Sequence, residues 1–417
     1  MIKAINSRYS TLNLIDGDRR AEVRLACLLH DCGHGPFSHA SEVLYGSESY
    51  EIPLLKNEQK SLFGRANPHE ILGYCIVTSK KFRELWDDIK NLYDLKKDKL
   101  ICNLDNIDLE RIGAMILGMK AKDRPLYLSQ FVNGPFDADK FDYIIRDGYF
   151  SGLVTSIDIE RLFVSLDAVP YKEHQRKEIP EDVLCTDIGG ATVLEQVLFN
   201  KMLLTSSFYH HHKIRAAFRT FAHLLSLLKG PGLTLNNIKL DEAPKFLLLE
   251  DPNVFCIQGD TYPKEVVELA DNIKHRKLPR RALVITKESL MDDASRTEYF
   301  RLLDNPALRT SMELEIAKKS GTKAPVFIDL PDEPKFLITG QHSLIRQASR
   351  SYITLDDLYP AAGWVAGYAE YRYKAYVFAP LGLEERVRDT ALDVFSEHAI
   401  KLDRFKSSEL AKLPISK

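Results

Sequence analysis

The 417-residue sequence predicts a mainly α-helical protein with a smaller α+β region towards its C-terminus. Apolar residues recur at helical spacing through most of the N-terminal half. Short β-like runs then alternate with helical patterns, at 282–286, 326–330 and 375–379. This change in the pattern of apolar residues predicts a helical core over residues 1–235 and an α+β region over residues 236–417.

Composition favours a globular cytoplasmic protein and argues against bulk nucleic-acid or membrane binding. Hydrophobic residues make up 45% of the chain, which is enough for a sizeable core. The 57 basic and 59 acidic side chains nearly balance, so no field of one sign is expected. The six cysteines include no CxxC pair and are interpreted as reduced thiols of a cytoplasmic protein. No apolar run reaches membrane-spanning length.

Helix boundaries follow from caps, glycines and prolines taken in chain order. A helical pattern starts near Asp18, and Ser38 is predicted to cap the next helix. Residues 46–66 are interpreted as a loop. Asn67 and Pro68 supply a cap and a first-turn proline for the helix that follows. Further helices are predicted at 81–96, 107–120, 190–229 (one or two), 262–276 and 382–398.

A dense set of polar side chains follows the first helical pattern, in LACLLHDCGHGPFSHASE at 25–42. An apolar run ends at His30 and Asp31, where glycine and proline break the helix. His34, His39 and Glu42 follow within one short stretch. Imidazole nitrogens and carboxylate oxygens suit Mg, Mn, Fe or Zn. An isolated His-Asp pair would more often be a simple helix end.

A second polar stretch lies far along the chain, in GPFDADKFDYIIRDGYFSGL at 134–153. Asp139, Tyr143, Arg146 and Asp147 share one face of the predicted helix. By composition alone, this face would be a solvated surface with internal ion pairs.

The two motifs together resemble those of the HD-domain phosphohydrolases. H-D-x-G-H-G-P-F-S-H at 30–39 matches the metal-binding motif of that family, and D-x-D-K-x-D-Y-x-x-R-D at 137–147 matches its second signature. The resemblance is closer to the deoxynucleoside triphosphate triphosphohydrolase, or dGTPase-like, branch. It implies an HD-domain helical core and a divalent metal (Mg, Mn, Fe or Zn) held by His30, Asp31 and Asp139.

The resemblance also implies roles for the other polar residues. His39 would be the general acid, Glu42 would orient it, and His69 would be a second catalytic group. A third stretch resembles the family's Tyr-x-His-x-x-x-Arg pattern, which helps to hold sugar or phosphates. The residues implied in substrate binding are Lys140, Tyr143, Arg146, Asp147, Tyr209, His211 and Arg215.

One departure concerns the metal ligands. Members of the family carry an earlier metal histidine, whereas this sequence has no histidine before His30. We therefore expect the helical core to lack an N-terminal segment that carries a further ligand. The alternative is a metal held by three protein ligands plus water.

The predicted activity is metal-dependent hydrolysis of deoxynucleoside triphosphates (dNTPs) to deoxynucleoside and inorganic triphosphate. One alternative is another HD phosphohydrolase that acts on nucleotides or single-stranded nucleic acid. A second alternative is a catalytically weak nucleotide-binding sensor or scaffold. The expected partners are a nucleotide substrate, single-stranded nucleic acid as a further possibility, and other copies of the chain in a homo-oligomer, the last by analogy alone. No membrane partner is expected.

Overall fold

The structure is a computed structural model of the chain. It describes residues 1–3, 5, 15–47, 49–92, 102–168, 182–331, 343–348, 351–359, 363, 367–368 and 372–412. Among these residues, no helix combines enough length with enough apolar character to cross a bilayer.

The fold is mainly α-helical, as the sequence predicts, with short strands between the helices. The helices are α1 Gly17–Leu29, α2 His39–Tyr45, α3 Glu51–Glu58, α4 Lys60–Phe63, α5 Pro68–Thr78, α6 Lys80–Leu92, α7 Leu109–Ile116, α8 Leu126–Gln130, α9 Ala138–Ser151, α10 Ile159–Ser165, α11 Ala191–Leu204, α12 His212–Leu228, α13 Asp251–Phe255, α14 Lys264–Lys274, α15 Asp293–Leu303, α16 Pro306–Ser320, α17 Leu355–Leu358, α18 Glu384–Glu397 and α19 Arg404–Ala411. The strands are β1 Leu166–Ala168, β2 Leu184–Asp187, β3 Arg280–Ile285, β4 Phe327–Asp329, β5 Leu344–Arg346, β6 Tyr352–Thr354 and β7 Ala375–Ala379.

The strands form two small sheets. One has the order β1-β2-β5-β6, in which β2 and β5 pair in parallel and the other neighbours are antiparallel. The other has the order β3-β7-β4 and is antiparallel throughout. Strand β7 is buried along its whole length, as expected for a central strand with an unbroken apolar run.

The chain folds into two compact units whose segments interleave along the sequence. The first consists of Met1–Lys201, Asn236–Asp251 and Phe336–Ala362, and the second of Met202–Leu235, Pro252–Lys335 and Gly363–Lys417. The first unit thus takes in a segment just beyond the predicted boundary at residue 235. The division into domains over 1–235 and 236–417 itself stays a prediction.

The core of the first unit packs α1 and α5 against α7. Val23 and Ala26 of α1, Val77 of α5 and Ile112 and Met115 of α7 are all buried in one cluster. Apolar residues at helical spacing produce such a face. The packing fixes the C-terminal end of α1, where His30 and Asp31 lie.

A buried carboxylate also holds α1 in place. Glu22 is fully buried, and its Oε1 accepts a hydrogen bond from Arg111 Nε at 2.8 Å, while its Oε2 accepts one from Arg124 Nε at 2.8 Å. A buried charge is tolerated only when it is paired and hydrogen-bonded in this way.

We predict that Glu22→Gln lowers the free energy of unfolding by about 3 kcal/mol, because it leaves two arginines next to a neutral amide. Urea unfolding followed by circular dichroism measures the change. Glu84→Gln is the matched control, since Glu84 is half-exposed and pairs with Lys81 on the surface of α6. That change should cost less than about 1 kcal/mol. Equal costs for the two variants would contradict a stabilising role of the buried cluster.

In the second unit, the antiparallel sheet packs against α18 and α19. Leu283, Ile328 and Val377 of its three strands are fully buried in one cluster with Val387 and Val394 of α18. The predicted strands at 282–286, 326–330 and 375–379 are confirmed, and so are the helices near 262–276 and 382–398.

One prediction about local structure was wrong. Residues 46–66 are not a loop, because α3 and α4 lie there. Ile52 and Phe63 anchor these short helices in the core, and Pro53 falls in the first turn of α3, where no amide hydrogen is needed. Strands β1 and β2 were not predicted, and they have only three and four residues. Runs this short carry too little alternation to predict a strand.

Candidate metal and catalytic site

His30 and Asp31 lie at the end of α1, as the motif predicts. His30 is the C-cap, and its Nδ1 lies 2.8 Å from the carbonyl oxygen of Cys27. Since Nδ1 is the donor of that bond, Nε2 has a lone pair whenever the ring is neutral. This Nε2 is buried and has no hydrogen-bond partner among the described residues. It lies 3.2 Å from Asp31 Oδ1 and 3.7 Å from Asp139 Oδ1.

Helix α9 brings Asp139 to this point. Asp137 caps the helix, because its side chain accepts a hydrogen bond from the Lys140 amide at 2.8 Å and one from the Gly134 amide at 3.1 Å. Asp139 therefore lies in the first turn. The structure brings His30, Asp31 and Asp139 together, although Asp139 is far from the other two in sequence.

These three residues fit a divalent metal. An unpartnered imidazole nitrogen with a carboxylate oxygen on either side is a donor set for Mg, Mn, Fe or Zn. Asp139, and secondarily Asp31, raise the pKa of His30 to about 9 despite its partial burial. His30 in turn lowers the pKa of Asp139. The negative charge that binds a proton on His30 so strongly would also attract a cation.

Glu42 is shared by two histidines next to this cluster. Its Oε2 lies 2.7 Å from His39 Nδ1, and its Oε1 lies 2.9 Å from His69 Nδ1. The Oε1 also accepts a hydrogen bond from the His69 amide at 3.3 Å. Burial alone would raise the pKa of Glu42, but the hydrogen bonds from His39 and His69 outweigh it and hold that pKa well below its usual range. The ionised carboxylate therefore accepts a hydrogen bond from the Nδ1–H of each histidine, and the two Nε2 atoms are left for other partners.

The three members of this group differ in exposure. The side chain of His39 is 71% exposed, whereas those of Glu42 and His69 are nearly buried. The hydrogen bond to Glu42 raises the pKa of His39 above its ordinary value. His39 thus has the exposure and the basicity of a group that gives a proton to a ligand from solvent.

His34, for which no individual role was predicted, lies between the two groups. Its ring stacks on His69 with centroids 4.0 Å apart, and its Nε2 lies 3.6 Å from Asp31 Oδ1. Burial, with secondary contributions from His69 and His39, lowers the pKa of His34 to about 3, so the ring is neutral. Ligand atoms of His34, His39, Glu42 and His69 all lie within 4.8 Å of one another. The sequence signal that could have identified His34 is its position as the second histidine of the H-D-x-G-H motif.

Close backbone packing brings α5 and His69 to the first motif. A Cβ on Gly33 would lie 2.0 Å from the carbonyl oxygen of His69, so only glycine allows this approach. Helix α5 begins at Pro68 after Asn67, as predicted, and Glu70 accepts a hydrogen bond from the Asn67 amide at 2.6 Å. Glycine at position 33 thus allows the motif to sit against the N-terminal turn of α5.

Ser38 is only partly as predicted. It is at the N-cap position of α2, but its side chain makes no capping hydrogen bond. Its backbone has φ 48° and ψ −117°, which differs from the extended conformation of an ordinary capping serine. The residue therefore belongs to a tight turn that leads directly into His39.

The rest of the second motif lies along α9. Lys140 forms an ion pair with the buried Asp137, and Arg146 pairs with Asp142 at 2.7 Å on the surface. Asp147 is half-buried on the same helix.

Lys201 of α11, which was not predicted as a site residue, places its ammonium 5.3 Å from the centroid of the Tyr143 ring. Burial, and secondarily Lys140, lower the pKa of Lys201 to about 7. Lys201 gave no signal in the sequence because it is a single lysine in an apolar helix.

Tyr209, His211 and Arg215 belong to the second unit. Tyr209 ends a π-helical turn, and His211 is the N-cap of α12. Arg215 makes a two-pronged ion pair with the buried Asp329, with both N–O distances 2.8 Å. The guanidinium is thus engaged within its own unit, and a substrate role for these three residues stays a prediction.

We predict that Glu42→Gln moves the alkaline limb of the kcat–pH profile to lower pH. The carboxylate raises the pKa of His39, so the imidazolium persists above its ordinary pKa of about 6.5. Without the carboxylate, His39 loses its proton at lower pH, and a step that needs the acid then fails earlier as pH rises. Measuring kcat from about pH 5.5 to 9 locates the limb. An unchanged limb would contradict the role of Glu42.

Comparison with known families agrees with this geometry. The HD domain family matches residues 7–120, and the HD associated region matches residues 157–403, which is more than half of the chain. Fold comparison finds a phosphohydrolase from Bacteroides thetaiotaomicron with a TM-score of 0.56 and 17% identity, covering 91% of this chain and 83% of that one. At this identity, the likeness concerns the fold alone.

Two curated relatives match part of the chain. An uncharacterized protein, the MG461 homolog of Mycoplasma pneumoniae, is 30% identical over 38% of this chain and 31% of its own length. The deoxynucleoside triphosphate triphosphohydrolase SAMHD1 homolog of Dictyostelium discoideum is 26% identical over 61% of this chain and 38% of its own length. The chain thus spans about a third of the length of these relatives. It belongs to the HD-domain phosphohydrolase family and resembles the dGTPase-like branch of that family.

Proposed function

We propose that this protein is a metal-dependent hydrolase that converts dNTPs to deoxynucleoside and inorganic triphosphate. The observation that carries the proposal is the Glu42 carboxylate shared by His39 and His69, beside the donor set of His30, Asp31 and Asp139. This combination offers a Lewis-acid position and an acid–base position in one place. The partial match to a triphosphohydrolase homologue supports the choice of substrate.

The chain supplies the metal site through three side chains. His30 gives its unpartnered Nε2, and Asp31 and Asp139 give one carboxylate oxygen each. A bound divalent metal would polarise the phosphoryl oxygen and lower the pKa of an attacking water. The hydrogen bond between His30 Nδ1 and the Cys27 carbonyl fixes the tautomer and the ring orientation that this role needs.

His39 acts on the leaving group. Its Nε2 gives a proton to the 5′-oxygen of the departing deoxynucleoside, so that no alkoxide is released. Glu42 Oε2 accepts a hydrogen bond from His39 Nδ1, with the two atoms 2.7 Å apart. This bond orients the ring and stabilises the imidazolium before the transfer. His69 keeps the other oxygen of Glu42 fixed, and the neutral His34 ring supports His69 by stacking.

Substrate contacts are proposed along α9 and in the second unit. Lys140, Tyr143, Arg146 and Asp147 follow Asp139 on α9 and would meet phosphate and sugar. Since Lys140 is paired with Asp137, a triphosphate must compete with that carboxylate for the ammonium. Tyr209, His211 and Arg215 of the second unit are proposed, by the resemblance alone, as contacts to a nucleotide.

Product analysis tests the proposal. The protein is incubated with mixed dNTPs and Mg²⁺ or Mn²⁺, and the products are identified by mass and retention time. Deoxynucleoside together with intact inorganic triphosphate is the expected result. Diphosphate with monophosphate products, or no product from any dNTP, would refute this activity. We also propose a cytoplasmic homo-oligomer, and a monomer mass in light scattering with and without dNTPs would refute the assembly.

A further inference from the structure

A segment distant in sequence covers the first motif. Residues 236–251, here called the strap, belong to the first unit although the second unit flanks them in sequence. Tyr50 donates a hydrogen bond to the Leu240 carbonyl at 3.0 Å, and the Ala243 amide donates one to Glu51 Oε1 at 3.0 Å. These contacts anchor the strap on the residues that follow α2.

The strap also reaches the loop between His30 and His39. Phe246 is fully buried, with its ring centroid 5.5 Å from that of Tyr45. A Cβ on Gly35 would lie 3.0 Å from Phe246 Cβ, so the loop backbone packs directly on this side chain. At the end of the strap, Asp251 Oδ1 accepts a hydrogen bond from the Phe37 amide at 2.7 Å, across 214 residues of sequence.

The loop is strained at the point where Asp251 binds it. Phe37 and Ser38 have φ of 55° and 48°, and neither residue is glycine. Such conformations are disfavoured for L-residues and persist only when the surrounding structure holds them. His39 follows immediately, so the direction of its side chain depends on this turn.

We propose that Asp251 is a positioning residue that holds the strained Phe37–Ser38 turn and thereby aims His39. The inference rests on the proposed function for the part that concerns catalysis. The hydrogen bond to a carboxylate is charge-assisted and short, which makes it one of the stronger single bonds that could fix the turn. Asp251 is exposed, and its carboxylate acts on the reaction only through the backbone of the loop.

The test compares three variants of the full chain. Asp251→Ala removes the acceptor, and Asp251→Asn keeps a neutral acceptor oxygen. Asp241→Ala is the matched control, because Asp241 also lies in the strap but pairs with Lys239 and Lys245 on the surface. For each variant, kcat and KM for the best dNTP are measured. Hydrogen exchange of peptides that cover residues 33–41 is followed by mass spectrometry.

We expect Asp251→Ala to lower kcat about tenfold with little change in KM, as for the loss of one charge-assisted hydrogen bond. Exchange in the loop peptides should become faster in that variant alone, and Asp251→Asn should restore most of kcat. An unchanged kcat and exchange rate would overturn the inference. A lower kcat together with a higher KM and a lower melting temperature would also overturn it if Asp251→Asn did not restore these values, since that pattern indicates general destabilisation. If the wild-type protein hydrolyses no dNTP, the proposed function fails, and the exchange data still decide whether Asp251 holds the turn.

Discussion

Asp139→Asn is expected to remove the bound metal and to lower kcat at least about a thousandfold, because a Lewis acid contributes several kcal/mol to charge stabilisation in the transition state. Asp139 Oδ1 lies 3.7 Å from His30 Nε2, and with Asp31 it supplies carboxylate oxygens at that nitrogen. An amide oxygen at this position is neutral and a weaker ligand. Metal content by mass spectrometry and steady-state kinetics measure the two effects.

Asp142→Asn provides the control on the same helix. Asp142 lies one turn further along α9 and pairs with Arg146 on the surface, so its loss should leave both the metal content and kcat nearly unchanged. Full metal content in Asp139→Asn would contradict the assignment of Asp139 as a ligand. An equal loss in both variants would indicate damage to α9 rather than to a metal site.

His39→Ala is expected to lower kcat by about 10²- to 10⁴-fold, which is the usual contribution of a positioned general acid. Metal content should be retained, because His39 is not a member of the donor set around His30. A defect in turnover without a defect in metal binding would separate the acid from the metal ligands. The same kinetic and metal assays give both results.

His275→Ala is a suitable control for this substitution. His275 is also an exposed histidine whose Nδ1 lies 2.9 Å from a carboxylate, that of Asp271, but it belongs to none of the motifs that resemble the family. Its loss should leave kcat unchanged. Near-normal turnover by His39→Ala would contradict the assignment of His39 as the general acid.

Much of the fold could be predicted from local patterns. The run at 375–379 is apolar and rich in β-formers, and the structure has a buried strand over these same residues. The helix start at Asn67 and Pro68 was also predictable and is confirmed, because a helix cap depends on neighbouring residues only. The helices at 51–63 escaped prediction because their stability comes from Ile52 and Phe63 in the core, which is a tertiary effect.

The site shows the same division between local and long-range information. The resemblance of the motifs implied roles for all six of the residues that the structure brings together here, namely His30, Asp31, His39, Glu42, His69 and Asp139. Lys201 and Asp251 were not predictable, since each reaches the site through a contact that no sequence pattern marks. Neither residue lies in a stretch that resembles a motif of the family.

Hydrolysis in H₂¹⁸O tests the central claim most directly. With the dNTP that is turned over fastest, attack of water at the α-phosphorus with departure of the 5′-oxygen puts one ¹⁸O into the inorganic triphosphate and none into the deoxynucleoside. This is the predicted result. Label in the deoxynucleoside, or release of labelled inorganic phosphate with a nucleoside diphosphate, would contradict the account, because His39 would then have no 5′-oxygen to protonate.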